Sequence, residues 1–380
     1  MRNPFDTPER IAFRDTARAF VASEITPYVD EWDEAGEVPW ELHQKVGALG
    51  VWGFGIDESY GGLGFDDCFM RAAWAEEMAR CSAGGVAAAV GGRSISVDPI
   101  ARLASEEIKM RVLPDVLAGR KGSSLGITEP GGGSDVANVR TTARRDGNHF
   151  VLNGEKTFIT GGMTSDFFVV AARTGGAGLA GISLFFVEAD TPGFSRTELP
   201  RKMGWWCSDQ ATLRFDDARV SAECMLGEED RGFLAVMENF NLERVGLIAG
   251  SLGMMKTCYE SALDWARERE TFGKPLIKHQ VIRHKFADMS AKIDAVEAYL
   301  NQICWMVNEG PMPVAEICKA KFYTTKALEF CASEAMQIFG GAGYLRGNPV
   351  ERIYREVKVM AIGGGSEEIM RDLTVRQMGL

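Results

Sequence analysis

Apolar residues recur at helical spacing in the first and last thirds of the chain. Near the N-terminus, Thr7 has the character of an N-cap and Pro8 that of a first helical residue. Toward the C-terminus, eight apolar residues within 282–307 alternate steps of four and three, which predicts a long helix of a bundle. Residues 314–339 and 367–378 are predicted to form two further helices.

The middle third has the composition and turn residues of strands. Residues 149–158 predict two short strands about an Asn153-Gly154 turn, because both positions of such a turn favour positive φ. Further strands are predicted over 167–172, 182–187 and 211–215. The chain is therefore predicted to be α+β, with an N-terminal helical domain (1–122), a middle β-barrel-like or sandwich domain (123–230) and a C-terminal helical bundle (231–380).

Composition narrows the function classes. A chain of 380 residues is too long to fold around one compact core, so more than one domain is expected. The net charge of −11 argues against nucleic acid and anionic membranes as partners. The eight cysteines form no C-x-x-C pair, which argues against a zinc site or a disulfide framework. The sequence has no apolar run of roughly 18 residues that would predict a membrane span, and its start lacks a signal-peptide pattern. We therefore expect a cytoplasmic or mitochondrial-matrix-like protein.

Two glycine-rich segments have different interpretations. Residues 176–181 match G-x-G-x-x-G, but a predicted strand follows where a dinucleotide-binding turn needs a helix, so we interpret them as a hairpin loop. Residues 128–135 contain three consecutive glycines, which have no side chains to pack. Such a run offers backbone N–H groups and close approach to a ligand, as in an anion cradle, with a plain turn as the alternative.

Five segments together resemble the acyl-CoA dehydrogenase family in order and spacing, and the likeness covers essentially the whole chain. They are residues 127–136, 202–204, 269–273, 337–344 and 350–358. The resemblance implies a flavoprotein of fatty acid β-oxidation that uses FAD to convert a medium, long or branched acyl-CoA to the trans-2-enoyl-CoA. It also implies a homotetramer, built as a dimer of dimers, and electron-transfer flavoprotein as the electron acceptor.

The resemblance assigns residues to the FAD site. The glycine loop is expected to lie against the flavin, and Phe158 stands where many members of the family have a Trp that covers the isoalloxazine ring. Arg269 begins a segment expected to reach the FAD of a neighbouring subunit, where its guanidinium suits a pyrophosphate. The expected FAD contacts are Leu125, Ile127, Thr128, Gly133, Ser134, Phe158, Ile159, Thr160, Arg269, Thr271, Phe272, Gln280, Gln337, Ile338, Phe339, Gly340, Gly341, Ser366, Glu367 and Glu368.

The implied reaction needs a carboxylate that removes the α-proton while a hydride leaves the β-carbon. The commonest base of the family stands just before a Gly-Thr or Gly-Ser step, and here that position is Gly364. The long-chain and isovaleryl-CoA branches instead place a Glu on a helix before an Arg, a pattern that Glu243 and Arg244 match. Apolar neighbours of Glu243 predict a raised pKa for its carboxyl, as a general base requires. The alternative is an exposed helix glutamate.

The implied substrate contacts are Ser134, Asn241, Arg244, Gly364 and Gly365. The backbone N–H of Gly364 is expected to donate to the thioester oxygen and stabilise enolate-like charge. Two other functions stay open: a flavin oxidase on the same fold, acting on acyl-CoA or a nitroalkane, and a subunit that binds FAD or acyl-CoA without turnover. The bulky Trp205-Trp206 pair is expected either to alter the pocket or the CoA entrance, or to pack against another subunit.

Overall fold

The computed structural model describes residues 3–92 and 94–380. Helices fill the N-terminal third. The predicted start of the first helix is confirmed, since the Thr7 side chain accepts a hydrogen bond from the Arg10 N–H and Pro8 opens the helix. The helices are α1 (Pro8–Glu24), α2 (Val29–Ala35), α3 (Trp40–Ala48), α4 (Cys68–Ala79), α5 (Gly84–Gly91), α6 (Ser94–Leu103) and α7 (Glu106–Leu117).

Among the described residues, the middle third forms an eight-stranded sheet in the order β6-β7-β3-β2-β4-β5-β8, with β1 parallel beside β4. Successive residues of β4 point to opposite faces. Phe167 packs in the core shared with the N-terminal helices and Phe168 in the core of the sheet itself, so the strand is apolar on both faces. The strands are β1 (Ser123–Gly126), β2 (Thr142–Asp146), β3 (His149–Thr160), β4 (Phe167–Arg173), β5 (Ile182–Glu188), β6 (Phe194–Glu198), β7 (Gln210–Ser221) and β8 (Met225–Leu226).

The predicted turn at Asn153-Gly154 is wrong, because β3 continues through both residues and the chain turns at 147–148 instead. Gly154 lies at a register shift between β3 and β7, where a β-carbon would come within 2.6 Å of the Thr141 Cα. The Asn153 amide donates to an Asp217 carboxylate oxygen at 2.9 Å. This Asn-Gly pair therefore serves a β-bulge, which also favours glycine. Residues 176–181 do join β4 to β5 as a hairpin loop.

Helices return in the last third. The predicted seam is confirmed, since the residues from Phe286 to Ile303 that carry it are buried. The helix over 349–362 is missing from the sequence-based predictions, although Asn348 caps it. The elements are α8 (Gly232–Glu268), β9 (Glu270–Thr271), β10 (Lys274–Pro275), α9 (Gln280–Glu309), α10 (Val314–Phe339), α11 (Pro349–Ile362) and α12 (Glu367–Gln377).

The order of helices, sheet and helices confirms the predicted α+β class. We propose domain boundaries at 122/123 and 230/231, which fall between α7 and β1 and between β8 and α8. No helix in the described ranges combines the length and apolar character that crossing a bilayer needs.

Candidate active site

Glu243 lies about three turns into α8. Its Oε2 atom is enclosed and has no hydrogen-bond partner among the described residues. Burial raises the pKa of the Glu243 carboxyl to about 7, against the opposing charges of Arg244 and Lys321. A carboxyl with an unpartnered oxygen and a pKa near neutrality is suited to accept a proton from a ligand.

A second run of three glycines, the loop at 363–365 after α11, faces Glu243. Gly364 and Gly365 have φ angles of +65° and +102°, which favour glycine. A β-carbon on Gly364 would lie 3.9 Å from Glu243 Oε1 and 2.5 Å from Cδ1 of Leu247. The loop position without a carboxylate and the helix position with one therefore border the same space.

Two buried cations hold all three carbonyl groups of this loop. Arg244 Nε donates to the Gly364 oxygen at 3.0 Å. Lys321 Nζ donates to the oxygens of Gly363 at 2.8 Å and Gly365 at 2.6 Å. Burial lowers the pKa of Lys321 to about 8 and also lowers that of Arg244. The carbonyl dipoles of the loop thus point toward positive charge, in fixed directions.

Four of the five predicted substrate contacts lie together here. Asn241 is buried, and its Oδ1 accepts from Nη1 of Arg244 at 3.0 Å, so it orients the guanidinium that binds the loop. The fifth, Ser134, is exposed on the glycine-rich loop at 128–135. Lys321 is absent from the sequence-based predictions. The sequence feature that could have indicated it is a lysine between the apolar residues Ile317 and Leu328, on the buried face of α10.

The last predicted FAD turn follows this loop directly. Ser366 caps α12, and its side chain accepts from the Ile369 N–H at 3.4 Å. Glu367 is buried and accepts from the Thr325 hydroxyl at 3.2 Å, whereas Glu368 is exposed. These residues therefore share one end of the bundle with Glu243.

The middle third brings a second group of predicted residues together. The Thr157 N–H donates to the Thr128 oxygen at 2.8 Å, and Lys156 Nζ donates to the Ile127 oxygen at 3.2 Å. Lys156 also forms a buried ion pair with Glu129 at 2.8 Å. These contacts fix the start of the glycine loop against β3, next to the strand residues 158–160.

Phe158 is 70% exposed and has a φ of +57°. A left-handed backbone is strained for an aromatic residue, and the exposed ring gains little from the core. A flat ring held outward in this way suits stacking on a planar ligand. β-Carbons on Gly131 and Gly132 would meet no described atom within 4 Å, so the adjacent loop also has open backbone. Both features fit the isoalloxazine ring and a polar edge of FAD.

Two contacts connect this strand to the surroundings of Glu243. A β-carbon on Gly92 would lie 3.1 Å from Cγ2 of Thr160. A few residues later, the Ile95 oxygen accepts from the Asn239 amide at 2.7 Å, about one turn of α8 before Glu243. The strand predicted to cover the flavin and the part of α8 that carries the predicted base are therefore linked through Gly92 and Ile95.

The remaining predicted FAD contacts lie at the other end of α8. Arg269 is on the order of 39 Å along the helix from Glu243, which is longer than an extended FAD molecule. Arg269 is exposed, and none of the described residues forms an ion pair with it. Phe272 is 96% exposed with a φ of +52°. Phe339 stacks on Trp265 with 5.1 Å between centroids, which brings the 337–341 segment to this same end.

Thr271 and Gln280 belong to this second cluster. The Thr271 hydroxyl lies 3.3 Å from Nε2 of His279, the residue just before α9, and Gln280 is the exposed first residue of that helix. Gln337, Gly340 and Gly341 are exposed, and Ile338 is buried. The predicted FAD residues thus form two separate surfaces, as expected if each FAD is held by two subunits.

The two adjacent tryptophans make contacts within the chain. The backbone N–H of Trp205 donates to one carboxylate oxygen of Glu356 at 2.9 Å, and the other oxygen accepts from the backbone N–H of Gly84 at 2.8 Å. Burial raises the pKa of Glu356 to about 7. The Arg355 guanidinium lies 3.7 Å from a ring centre of Trp206. The pair therefore ties the middle third to α5 and α11.

Comparison with known proteins bears on the family and the fold. Models of the acyl-CoA dehydrogenase N-terminal, middle and C-terminal domains match residues 7–120, 124–218 and 230–379. A crystal structure of a probable acyl-CoA dehydrogenase from Mycobacterium abscessus has a TM-score of 0.95 and 41% identity, covering 98% of this chain and 99% of that one. The mitochondrial long-chain specific acyl-CoA dehydrogenase of Rattus norvegicus is 33% identical, covering 97% of this chain and 86% of the relative.

A further solved structure bears on the cofactor. Glutaryl-CoA dehydrogenase from Mycobacterium smegmatis in complex with FADH2 has a TM-score of 0.92 and 29% identity, covering 98% of this chain and 95% of that one. The exposed Phe158 ring and the open glycine loop fit the same cofactor. The chain belongs to the acyl-CoA dehydrogenase family of FAD-dependent oxidoreductases.

Proposed function

We propose that this acyl-CoA dehydrogenase uses Glu243 as its catalytic base, acts on a medium, long or branched acyl chain, and delivers its electrons to electron-transfer flavoprotein. The observation that carries the proposal is the enclosed, unpartnered Oε2 of Glu243 beside a loop that lacks a carboxylate. The raised pKa of Glu243 supports the same role, because a base that works near neutral pH must release and accept its proton there.

The carboxylate of Glu243 takes the proton from the α-carbon of the acyl group. When bound, FAD supplies the acceptor for the hydride that leaves the β-carbon. Loss of the proton and the hydride leaves a double bond between the two carbons, so the electrons balance. Phe158, Ile159, Thr160 and the loop at 128–134 would hold the cofactor, and Gly92 and Ile95 link this strand to α8 about one turn before Glu243.

The N–H of Gly364 stabilises the charge that develops on the thioester oxygen. This N–H forms no hydrogen bond with the part of the chain that the structure describes, which leaves it available to a substrate. A pre-aligned donor of this kind lowers the barrier because it needs no reorganisation as charge appears. Arg244, held by Asn241, fixes the next peptide group of the loop.

The substrate class follows from the position of the base. The resemblance associates a helical Glu before an Arg with the long-chain and isovaleryl-CoA branches of the family, and Glu243 and Arg244 match that pattern. The second FAD surface around Arg269 supports a homotetramer in which one subunit completes the FAD site of another. The electron acceptor is proposed from family resemblance, and the compartment is proposed to be the bacterial cytoplasm or a matrix-like space.

A panel of thioesters tests this proposal. We expect butyryl-, octanoyl-, palmitoyl- and isovaleryl-CoA to differ in kcat/KM, with a longer or branched substrate preferred, and electron-transfer flavoprotein to sustain turnover without oxygen. Rapid oxygen consumption with any of these substrates would instead identify an oxidase. A protein that binds FAD and is reduced by none of them would be a non-catalytic subunit.

A further inference from the structure

Lys321 occupies a core position in the C-terminal bundle. Its side chain is fully buried on α10, the helix that packs against α8, α11 and α12. Burying an ammonium group costs several kcal/mol unless hydrogen bonds and opposite charge compensate. The bonds that Lys321 forms therefore indicate what this position stabilises.

Those bonds go to the loop at 363–365, which faces Glu243. Nζ of Lys321 donates to the carbonyl oxygens of Gly363 and Gly365, at 2.8 and 2.6 Å. In a trans peptide the C=O and the following N–H point in opposite directions. Drawing the Gly363 oxygen toward Lys321 therefore turns the N–H of Gly364 away from α10.

The loop needs such an anchor because its sequence does not fix its shape. Three consecutive glycines have more backbone freedom than any other tripeptide, and Gly364 and Gly365 both have positive φ. Arg244 holds only the middle carbonyl of the three. Without Lys321, the peptide group that carries the Gly364 N–H would lose its side-chain contact and sample other orientations.

Lys321 also contributes charge. Its positive charge favours the ionised form of Glu243, and the Glu243 carboxylate in turn favours the ammonium of Lys321. The other groups that act on Lys321 are Arg244, Glu367 and Cys318. Glu243 thus faces two cations, one from its own helix and one from α10.

We propose that Lys321 is a positioning residue of the reaction: it aims the Gly364 N–H at the thioester oxygen and supplies part of the positive charge that faces Glu243. The inference rests on the proposed function, in which Glu243 is the base and Gly364 the donor. It adds a residue 42 positions from Gly363 in sequence, which acts through the backbone of the loop.

The test compares Lys321→Met with Lys319→Met in the holoenzyme. Lys319 lies on the same helix and forms an ion pair with Glu316 at 3.0 Å, so its replacement controls for loss of a lysine from α10. We expect Lys321→Met to keep its FAD and to lose roughly 10- to 100-fold in kcat, less than the roughly 10²- to 10³-fold cost of removing an oxyanion donor outright. Lys319→Met should stay within about twofold of the wild type.

A spectroscopic readout separates positioning from folding. An arylacryloyl-CoA has an absorption band that moves to longer wavelength when a donor polarises its carbonyl group. In the wild type the absorption band of the bound ligand should shift, and in Lys321→Met the shift should be smaller at saturating ligand.

The acid limb of the pH profile of kcat/KM should also move to higher pH in Lys321→Met, because Glu243 loses a favourable charge and its pKa rises. Lys321→Gln, a smaller change that keeps one donor group, gives the same comparison where the Met variant does not fold.

The outcomes are distinct. A full band shift and an unmoved acid limb in the folded Lys321 variant would overturn the inference, while reduction of the wild-type flavin by acyl-CoA would leave the proposed function intact. A wild-type flavin that no acyl-CoA reduces would overturn the proposed function itself. A reduced shift with retained FAD supports the positioning role.

Discussion

Oε1 of Glu243 lies 3.9 Å from the point that a β-carbon on Gly364 would occupy. Two elements far apart in sequence, α8 and the loop after α11, thus reach one space. Only the helix carries a carboxylate there. A helix holds its side chains more rigidly than a loop, so α8 defines the direction from which the base approaches the substrate.

The pH dependence of kcat/KM should follow the groups around this space. Glu243 must be ionised to accept a proton, so activity should fall about tenfold per pH unit below its pKa of about 7. Lys321 loses its positive charge above its pKa of about 8, which weakens its bonds to the loop carbonyls and removes a charge that faces Glu243, so activity should also fall there. The profile should be a narrow bell, measured with the holoenzyme from pH 5 to 10. A flat profile across neutrality would contradict this account.

Moving the carboxylate from the helix to the loop should restore part of the activity. The double variant Glu243→Gln/Gly364→Glu places a carboxylate beside the same space. However, a β-carbon at position 364 would lie 2.5 Å from Cδ1 of Leu247, and the backbone at this position has a positive φ. That conformation costs about 1–2 kcal/mol for a residue with a side chain. Adding Leu247→Ala should therefore raise the turnover of the double variant. Glu243→Gln/Leu247→Ala is the control, and recovery in it would refute the explanation.

Phe158 should contribute to FAD affinity at a cost to the stability of the apoprotein. Phe158→Gly removes both the ring and the strain at φ +57°, so the apoprotein should gain up to about 1 kcal/mol in free energy of unfolding while FAD binding weakens. Phe158→Trp should keep FAD affinity within a few-fold. Equilibrium dialysis and urea unfolding measure the two effects. FAD binding unchanged in Phe158→Gly would exclude stacking on this ring.

The buried ion pair of Lys156 with Glu129 should be important for stability. Lys156→Met leaves the Glu129 carboxylate without its cation and should cost about 3–5 kcal/mol in free energy of unfolding. Lys156→Met/Glu129→Gln should recover part of the loss. The exposed pair of Arg219 and Asp146, at 2.6 Å, is the matched control, and Arg219→Met should cost less than about 1 kcal/mol. Equal losses of unfolding free energy in Lys156→Met and Arg219→Met would contradict the argument from burial.

Local sequence patterns predicted the regular elements well. The seam of α9 was predictable because its apolar residues keep one period over the whole helix. The Asn153-Gly154 pair misled because a hairpin turn and a β-bulge both select glycine, and only the pairing of β3 with β7 distinguishes them.

The site was less accessible to local reasoning. Glu243 and Gly364 were paired by family resemblance, since no periodicity relates a helix to a loop 121 residues later. Lys321 was missed because its bonds to Gly363 and Gly365 depend on how α10 packs under the loop. A lysine on a buried helix face was the available signal, and the ordinary reading of such a residue is a solvated surface charge.

The central claim, that Glu243 removes the α-proton, is tested most directly by rapid anaerobic mixing of the FAD-loaded Glu243→Gln variant with an acyl-CoA that reduces the wild type. Glu238→Gln, an exposed position on the same helix, is the control. We expect the wild type and the control to bleach, and Glu243→Gln to bind the thioester with flavin reduction slowed by about 10²- to 10⁴-fold or more. Flavin reduction at the wild-type rate in Glu243→Gln would contradict the claim.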